Sequence, residues 1–436
     1  MRVVYDGARS MVTTTTGRAP LTPNQVRGFW AAWGGWALDG MDSFIYALVL
    51  VPALSELLPR SGIPATPADV GYYGGVLFAL FLVGWGLSMV WGPLADRFGR
   101  VRTLMLTIIC YSLFTFLGAV ATSVWQLAVF RLLAGVGIGG EWSMGGTFVA
   151  EEWPEERRKA GAGYMHTGYY FGIFLAAIAN YFVGARYGWR AMFALGGIPA
   201  LLVGFIRSSV RESGRWEAER EKPTLRAAFL KLFSSKYARR TLLNSAYLLV
   251  SIVGLWAGSV YVPASVTQIS TREGYSSADA ARMASYATVL LSCGTILGCL
   301  VLPPLADAFG RRITLGLYFA LMFFCIAFGF GYVFYLPRAL APFMTCLFFL
   351  GVGGANFAMY TLWLPEQYST ECRASAFAFA TSVGRFAGAG ITFLVGAGVA
   401  RMQTIGTPVA LTSVAFLIGI LLLPFGEETK GQPLPV

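Results

Sequence analysis

Residues 92–100 read GPLADRFGR, and residues 303–311 read PPLADAFGR. Each stretch closes one long apolar run and opens the next. Small residues let two helices turn tightly there, while Asp96, Arg97 and Arg100, and then Asp307 and Arg311, place charge at the end of an apolar span. A second echo lies close by. Glu151 and Arg158 are seven residues apart, and so are Glu366 and Arg373. Two motifs recurring in the same order make the chain an internal repeat.

Working outward from these motifs, apolar runs long enough for a membrane helix of about 20 residues lie near 29–55, 70–95, 101–121, 125–150, 159–183, 188–206, 242–263, 283–306, 313–335, 339–364, 375–400 and 406–424. The long polar stretch 207–240 splits these spans six and six. The expected fold is an all-α membrane protein with twelve transmembrane helices in two six-helix repeats. Its parts are an N-terminal segment (1–28), a first bundle (29–206), a linker (207–240), a second bundle (241–425) and a tail (426–436). Parallel six-span repeats are an architecture of secondary transporters, with the site between the halves at mid-membrane.

Composition agrees. Of 436 residues, 56% are hydrophobic and 13% charged, against about 25% charged in a soluble domain. A soluble enzyme and a disordered chain are both excluded. The net charge of +11 has a topological reading. With both termini cytoplasmic, 24 of the 33 Lys and Arg fall on the cytoplasmic side and 7 on the other, as the positive-inside rule requires. The charge therefore implies no nucleic-acid partner, and the expected location is the cell (inner) membrane, multi-pass. Residues 1–27 carry Arg2, Arg9, Arg18 and Arg27 and lack a short apolar core, so no cleavable signal is expected. The six cysteines have no C-x-x-C spacing and no disulfide is expected. The single histidine, His166, excludes a multi-histidine metal site. There is no G-x-S-x-G and no phosphate loop, so no catalytic residue and no enzyme is expected. A non-transporting sensor is the rival from another class.

These motifs resemble the major facilitator superfamily, of which the G-x-L-A-D-R-x-G-R loop at 92–100 is the most specific signature. Residues 131–142, RLLAGVGIGGEW, look like the metabolite–proton and sialate–proton symporter families. Residues 39–42, DGMD, are similar to the D-G-F-D of the sialate and aromatic-acid symporters, and 382–385, SVGR, to the N-x-G-R of the sialate group. Residues 211–216, RESGRW, and 428–431, ETKG, resemble the P-E-S-P-R and P-E-T-K-G segments of the wider sugar-porter clade. The Q-L-S of sugar porters is absent: 244–250 read NSAYLLV. The resemblance implies a monomeric carrier that takes up a small organic acid (a monocarboxylate, a sialate-like acid or an aromatic or hydroxy acid) with protons as the coupling ion and no cofactor. A carrier of a sugar, polyol or zwitterionic metabolite is the alternative.

Five ionisable side chains fall inside spans: Asp39, Asp42, Arg131, Glu141 and Arg385. Each costs roughly 2.5 to 3.5 kcal/mol at a helix centre, so they should face a wet cavity or one another. Asp39 and Asp42 share a face of span 1. By depth an Asp42–Arg131 pair is within reach. In resembling symporters the matching pair couples the proton; the bland reading is a static ion pair. Either aspartate, or both together, is open as the proton carrier. Arg385 is the first choice for a substrate carboxylate, which a guanidinium grips through two parallel hydrogen bonds; the bland reading pairs it with a carboxylate of another helix. His166 is read either as titrating near neutral pH or as a neutral hydrogen-bonding group. Asn356 and Tyr360, four apart, either line the cavity or bond between helices. The family reading gives Glu141 a contact with the 92–100 loop. It groups Glu141 with Asp96, Arg97, Arg100, Glu151, Arg158, Asp307, Arg311, Glu366 and Arg373 as the cytoplasmic gate. Trp36, Trp85 and other tryptophans are read mostly as anchors or packing.

Overall fold

The computed structural model describes residues 20–219, 221–259 and 261–435. Most of the expected N-terminal segment, with Arg2, Arg9 and Arg18, lies outside the described residues. In chain order the helices are α1 (Pro23–Arg60), α2 (Pro67–Leu87), α3 (Trp91–Phe98), α4 (Arg100–Gly118), α5 (Val124–Glu152), α6 (Glu155–Ala179), α7 (Ala185–Leu195) and α8 (Pro199–Ser209). Two short linker helices follow, α9 (Gly214–Ala218) and α10 (Leu225–Lys231). Then come α11 (Ala238–Ser259), α12 (Val262–Arg272), α13 (Ser277–Gly331), α14 (Leu340–Gly354), α15 (Asn356–Trp363), α16 (Arg373–Met402), α17 (Gly406–Leu411) and α18 (Val414–Leu422). No strand occurs among the described residues. Each of the twelve expected apolar stretches falls on one of these helices, on part of one, or on two in tandem. Among the described residues, seven helical segments are long and apolar enough to cross a membrane by length and composition.

Local chemistry sets the helix starts. Thr22 and Gln25 form a capping box ahead of Pro23, and Ser123 accepts from the Gln126 amide to begin α5; both satisfy otherwise orphaned amides. The helices are amphipathic in the inverted sense. On α4, Leu106, Ile109, Leu113 and Phe116 are exposed, while Thr103, Thr107, Ser112 and Thr115 are buried. An apolar outside and a polar inside suit a lipid surround. On α5, Gly135, Gly137, Gly139, Gly140, Gly145 and Gly146 are all buried, and small residues let membrane helices pack backbone to backbone. Accordingly α5 packs along α2, α4 and α1.

The two repeated loops fold alike. Gly99 (φ 113°) reverses the chain between α3 and α4, and Gly310 (φ 84°) breaks α13 in two at the corresponding place. A side chain is disfavoured at such φ values. Both loops lie at the end of the bundle that carries the linker, referred to as the linker end. Hydrogen bonds and ion pairs tying residues before the linker to residues after it cluster there, through α3, α4 and α5 against the start of α16 and the residues just before it, and through the start of α6 against α13 and Glu366. The bundle is closed at its linker end.

Candidate functional site

Two groups of buried polar side chains stand out, one in the middle of the bundle and one at its linker end. In the middle group, Asp39 and Asp42 of α1 are both buried. The Asp42 carboxylate accepts from Thr115 of α4 at 2.9 Å, and Asp39 from Ser43 at 3.4 Å. Arg131 of α5 does not close the expected ion pair with Asp42. It interacts with Asp42 through charge only, and its guanidinium lies 4.3 Å from the ring centroids of Tyr46 and of Phe81. Its three nitrogens find no hydrogen-bond partner in the protein. Aromatic faces attract the cation where the carboxylate is held by Thr115 instead.

Glu141 requires a correction. Its carboxylate does not reach the 92–100 loop. It accepts from Thr107 of α4 at 3.5 Å and lies against Gly35 of α1, in the space a side chain there would fill. Ten residues separate it from Glu151, about 15 Å along α5, which keeps it within the middle group. Asp39 interacts electrostatically with Glu141, Asp42 and Arg385.

Arg385 of α16 is buried, 3.6 Å above the Trp85 ring of α2. Its Nε and Nη1 have no protein partner, and among the described residues no carboxylate is in ion-pair contact with it. Beside it runs an aromatic wall drawn from four helices. Trp36 (α1) stacks on Trp142 (α5) at 5.7 Å and meets Tyr169 (α6) at 5.0 Å. His166 (α6) sits between Trp36, Trp142 and Phe357 (α15), its ring nearly parallel to the last. Its Nδ1 and the Trp36 and Trp85 Nε1 groups are also buried without protein partners. Buried polar atoms are normally paired, so these unpaired groups, together with a guanidinium that Trp85 backs and Tyr169 meets electrostatically, point to a ligand. Trp142 Nε1 donates to Thr361 at 2.9 Å, bridging the two halves of the chain at this level.

The two span-10 residues separate. The Tyr360 hydroxyl donates to the Tyr247 carbonyl at 2.8 Å and bonds Ser251 at 2.7 Å, both on α11. It is a tie between helices, which corrects its expected place in the cavity lining. Asn356 donates to the Gly353 carbonyl and keeps its Oδ1 buried and unpartnered.

At the linker end the repeat becomes two latches. Arg100 grips Glu151 (2.9 to 3.3 Å) and donates to the Thr370 carbonyl across the halves at 2.7 Å. Glu151 also receives Arg373 at 2.8 Å. Asp96 accepts from the Ala374 and Ser375 amides that open α16, and from the Ser375 hydroxyl. In the second copy Arg311 grips Glu366 at 2.7 and 2.8 Å, Arg158 faces Glu366 at 3.6 Å, and Asp307, half exposed, pairs with Lys159. The first latch is thus the tighter. Burial pushes the Glu151 carboxyl up, but the guanidiniums of Arg100 and Arg373 outweigh it and hold the group below the usual carboxylate range. Arg97 is a further correction: it is exposed, lies over Phe98, and takes no part in the latch.

Several contributors escape a reading by motif. Trp85, Trp142, Tyr169 and Phe357 look like ordinary packing until four helices are assembled. Glu212 and Glu428 had a signal. Each follows the last span of its half in a Glu-Ser or Glu-Thr pair, and each carboxylate caps the helix after a repeated loop: Glu212 accepts from the Val101 and Arg102 amides, Glu428 from Arg311 and Arg312. Burial pushes the Glu212 carboxyl up, partly opposed by those two amides.

A helical bundle with an apolar exterior, a buried charged centre and latched loops at one end defines a membrane carrier. Residues 32–392 match the Major Facilitator Superfamily, and the chain belongs to that family. It is a multi-pass membrane transport protein. It is similar to a probable 4-methylmuconolactone transporter of Cupriavidus pinatubonensis (33% identical over 428 residues, 94% of this chain and 92% of the relative). It is also similar to the niacin transporter NiaP of Acinetobacter baylyi (26% identical over 439 residues, 93% and 94%). Among solved structures it resembles the proton:xylose symporter XylE bound to 6-bromo-6-deoxy-D-glucose, with a TM-score of 0.76 at 20% identity, covering 94% of this chain and 98% of that one. At that identity the likeness is one of fold.

Proposed function

We propose that the protein is a proton-coupled symporter of a small organic acid that works by alternating access. The observation that carries this reading is Arg385: a buried guanidinium with two donors free of protein partners, backed by Trp85 and set beside an aromatic wall. Free donors on a charged guanidinium suit a carboxylate, and the wall offers faces to a planar carbon skeleton. Relatives named for 4-methylmuconolactone and niacin transport support the same class of cargo. Protons are the coupling ion, carried by Asp39 and Asp42 beside Arg131. One proton moving with one monoanion is electroneutral, so a pH gradient alone drives uptake.

The twelve spans form two six-helix bundles, joined by 207–240, that rock about the central site. The linker end is cytoplasmic, as the Lys and Arg distribution requires, and the protein sits in the inner membrane as a monomer with both termini inside. The present conformation is then closed to the cytoplasm. Asp96, Arg100, Glu151 and Arg373, with Arg158, Asp307, Arg311 and Glu366, hold that gate. His166 and Asn356 help to line the site.

Competition against exchange of a labelled monocarboxylate tests the cargo. Aromatic and aliphatic monocarboxylates, a hexose and a polyol are compared in wild-type vesicles. Inhibition by acids and not by neutral solutes is expected; inhibition by the hexose alone would assign the protein to neutral cargo.

A further inference from the structure

Helix α4 presents a file of hydroxyls to the acidic face of α1. Thr107, Tyr111 and Thr115 are four residues apart and share one face of the helix. Opposite them on α1 run Gly35, Asp39 and Asp42, spaced four and three. Thr115 holds Asp42 and Thr107 holds Glu141, whose carboxylate fills the space beside Gly35. By the rise along α1, Asp42 lies about 10 Å and Asp39 about 6 Å from the level of Gly35, and no hydrogen bond joins either carboxylate to Glu141. Tyr111 lies between them. Its hydroxyl is fully buried and has no hydrogen-bond partner in the protein, and it lies within electrostatic reach of Glu141, Asp39 and Asp42. Gly137, one turn before Glu141, lets α5 approach the backbone of Tyr111 so closely that a side chain there would collide with it. An orphaned hydroxyl amid three carboxylates, each with an unpartnered oxygen, has only acidic groups to serve.

We propose that Tyr111 is a proton relay joining the Asp42/Asp39 pair to Glu141, and that Glu141 is the group that hands the proton on toward the linker end. The proposal rests on the proton-coupled reading above. No carboxylate is in hydrogen-bond contact with the hydroxyl, so each hand-over runs through a bridging water: the Tyr111 oxygen accepts a proton from the aspartic acid side and gives its own toward the Glu141 carboxylate. One O–H bond forms as another breaks, and the tyrosine stays neutral.

Charge counting supports a mobile proton. The groups facing this file are Asp39, Asp42 and Tyr46 on α1, Tyr111 on α4, Arg131 and Glu141 on α5, His166 and Tyr169 on α6, and Arg385 on α16. Fully ionised, three carboxylates and two guanidiniums with neutral tyrosines and histidine leave one net negative charge, and one shared proton cancels it. Isolated buried charge is costly. A substrate anion at Arg385 restores the imbalance and calls for a second proton, which is the coupled one.

Time-resolved infrared spectroscopy on the protein in nanodiscs, after a jump from about pH 8 to about pH 5, tests this with the proton itself as probe. Bands of protonated carboxyl groups are assigned by their loss in Asp39→Asn, Asp42→Asn and Glu141→Gln. In wild type the Glu141 band should rise together with the aspartate bands. In Tyr111→Phe the aspartate bands should rise at the wild-type rate and the Glu141 band should lag by about tenfold or more, a barrier increase of about 1.4 kcal/mol. Phenylalanine removes only an unpaired buried hydroxyl, so folding should survive. An unchanged Glu141 rate in Tyr111→Phe, or no band lost in Glu141→Gln, would overturn the relay. Loss of no band in either aspartate variant would instead overturn proton coupling, and the relay with it.

Discussion

At single residues, function follows from which buried polar atoms are satisfied. Arg385 and Tyr360 make the contrast. Both are buried near the middle of the second half, yet the Tyr360 hydroxyl is committed to α11 while two Arg385 donors face no protein acceptor. Changing Arg385 to Lys keeps the charge and loses the fork. A charge-assisted hydrogen bond is worth roughly 1.5 to 3 kcal/mol, so the apparent affinity for the transported acid should fall about tenfold or more in competition assays. Tyr360→Phe should leave that affinity unchanged and lower thermal stability by about 1 kcal/mol for each lost bond, read as an earlier unfolding transition. Sequence alone gave Arg385 its place because a charge inside an apolar span is conspicuous. It could not separate Tyr360 from a lining residue, since sharing a face with Asn356 does not say what the face meets. Nor could it show that Arg131 rests between Tyr46 and Phe81, which come from α1 and α2.

At the scale of elements, two repeated loop-and-helix units make two latches of unequal strength. The one built on Arg100, Glu151 and Arg373 joins the halves through a buried shared carboxylate. Glu151→Gln would leave two guanidiniums together without that charge. Removing one partner of such a buried set costs about 3 to 5 kcal/mol, enough to shift the population toward opening at the linker end. Spin-label distances between the linker-end tips of α5 and α16 should lengthen in this variant. The sign of the pH dependence follows from the depressed carboxyl of Glu151. Its contribution is present above the ordinary carboxylate range and is lost only as the pH falls through its lowered value. In Asp96→Asn, which removes the latch carboxyl that burial pushes up to about 6, the same distances should therefore stay constant between about pH 8 and about pH 5.5; lengthening in that window would show that another group controls the latch. The loops were legible because Gly99 and Gly310 are needed for the reversals and the charges repeat in register. Arg97 was misplaced because a motif gives spacing and not the direction of a side chain at a helix end. Glu141 was misplaced because Gly35, which makes room for it, lies over a hundred residues earlier.

At the scale of the whole molecule, the apolar exterior, the closed linker end and the buried charged middle belong to one machine. Its helices were readable from apolar run length, since twelve such runs carry their own signal. The aromatic wall was not, because Trp36, Trp142, His166 and Phe357 come from four helices and converge only in the assembled bundle. In the proposed cycle the charged middle couples a proton to an organic anion. The direct test is uptake into proteoliposomes under an imposed inward proton gradient. Labelled monocarboxylates, aromatic acids and a hexose are compared with and without a protonophore. An acid should accumulate above equilibrium, and the protonophore should abolish the accumulation. Equilibration of the acid without accumulation, or accumulation of the hexose alone, would contradict it.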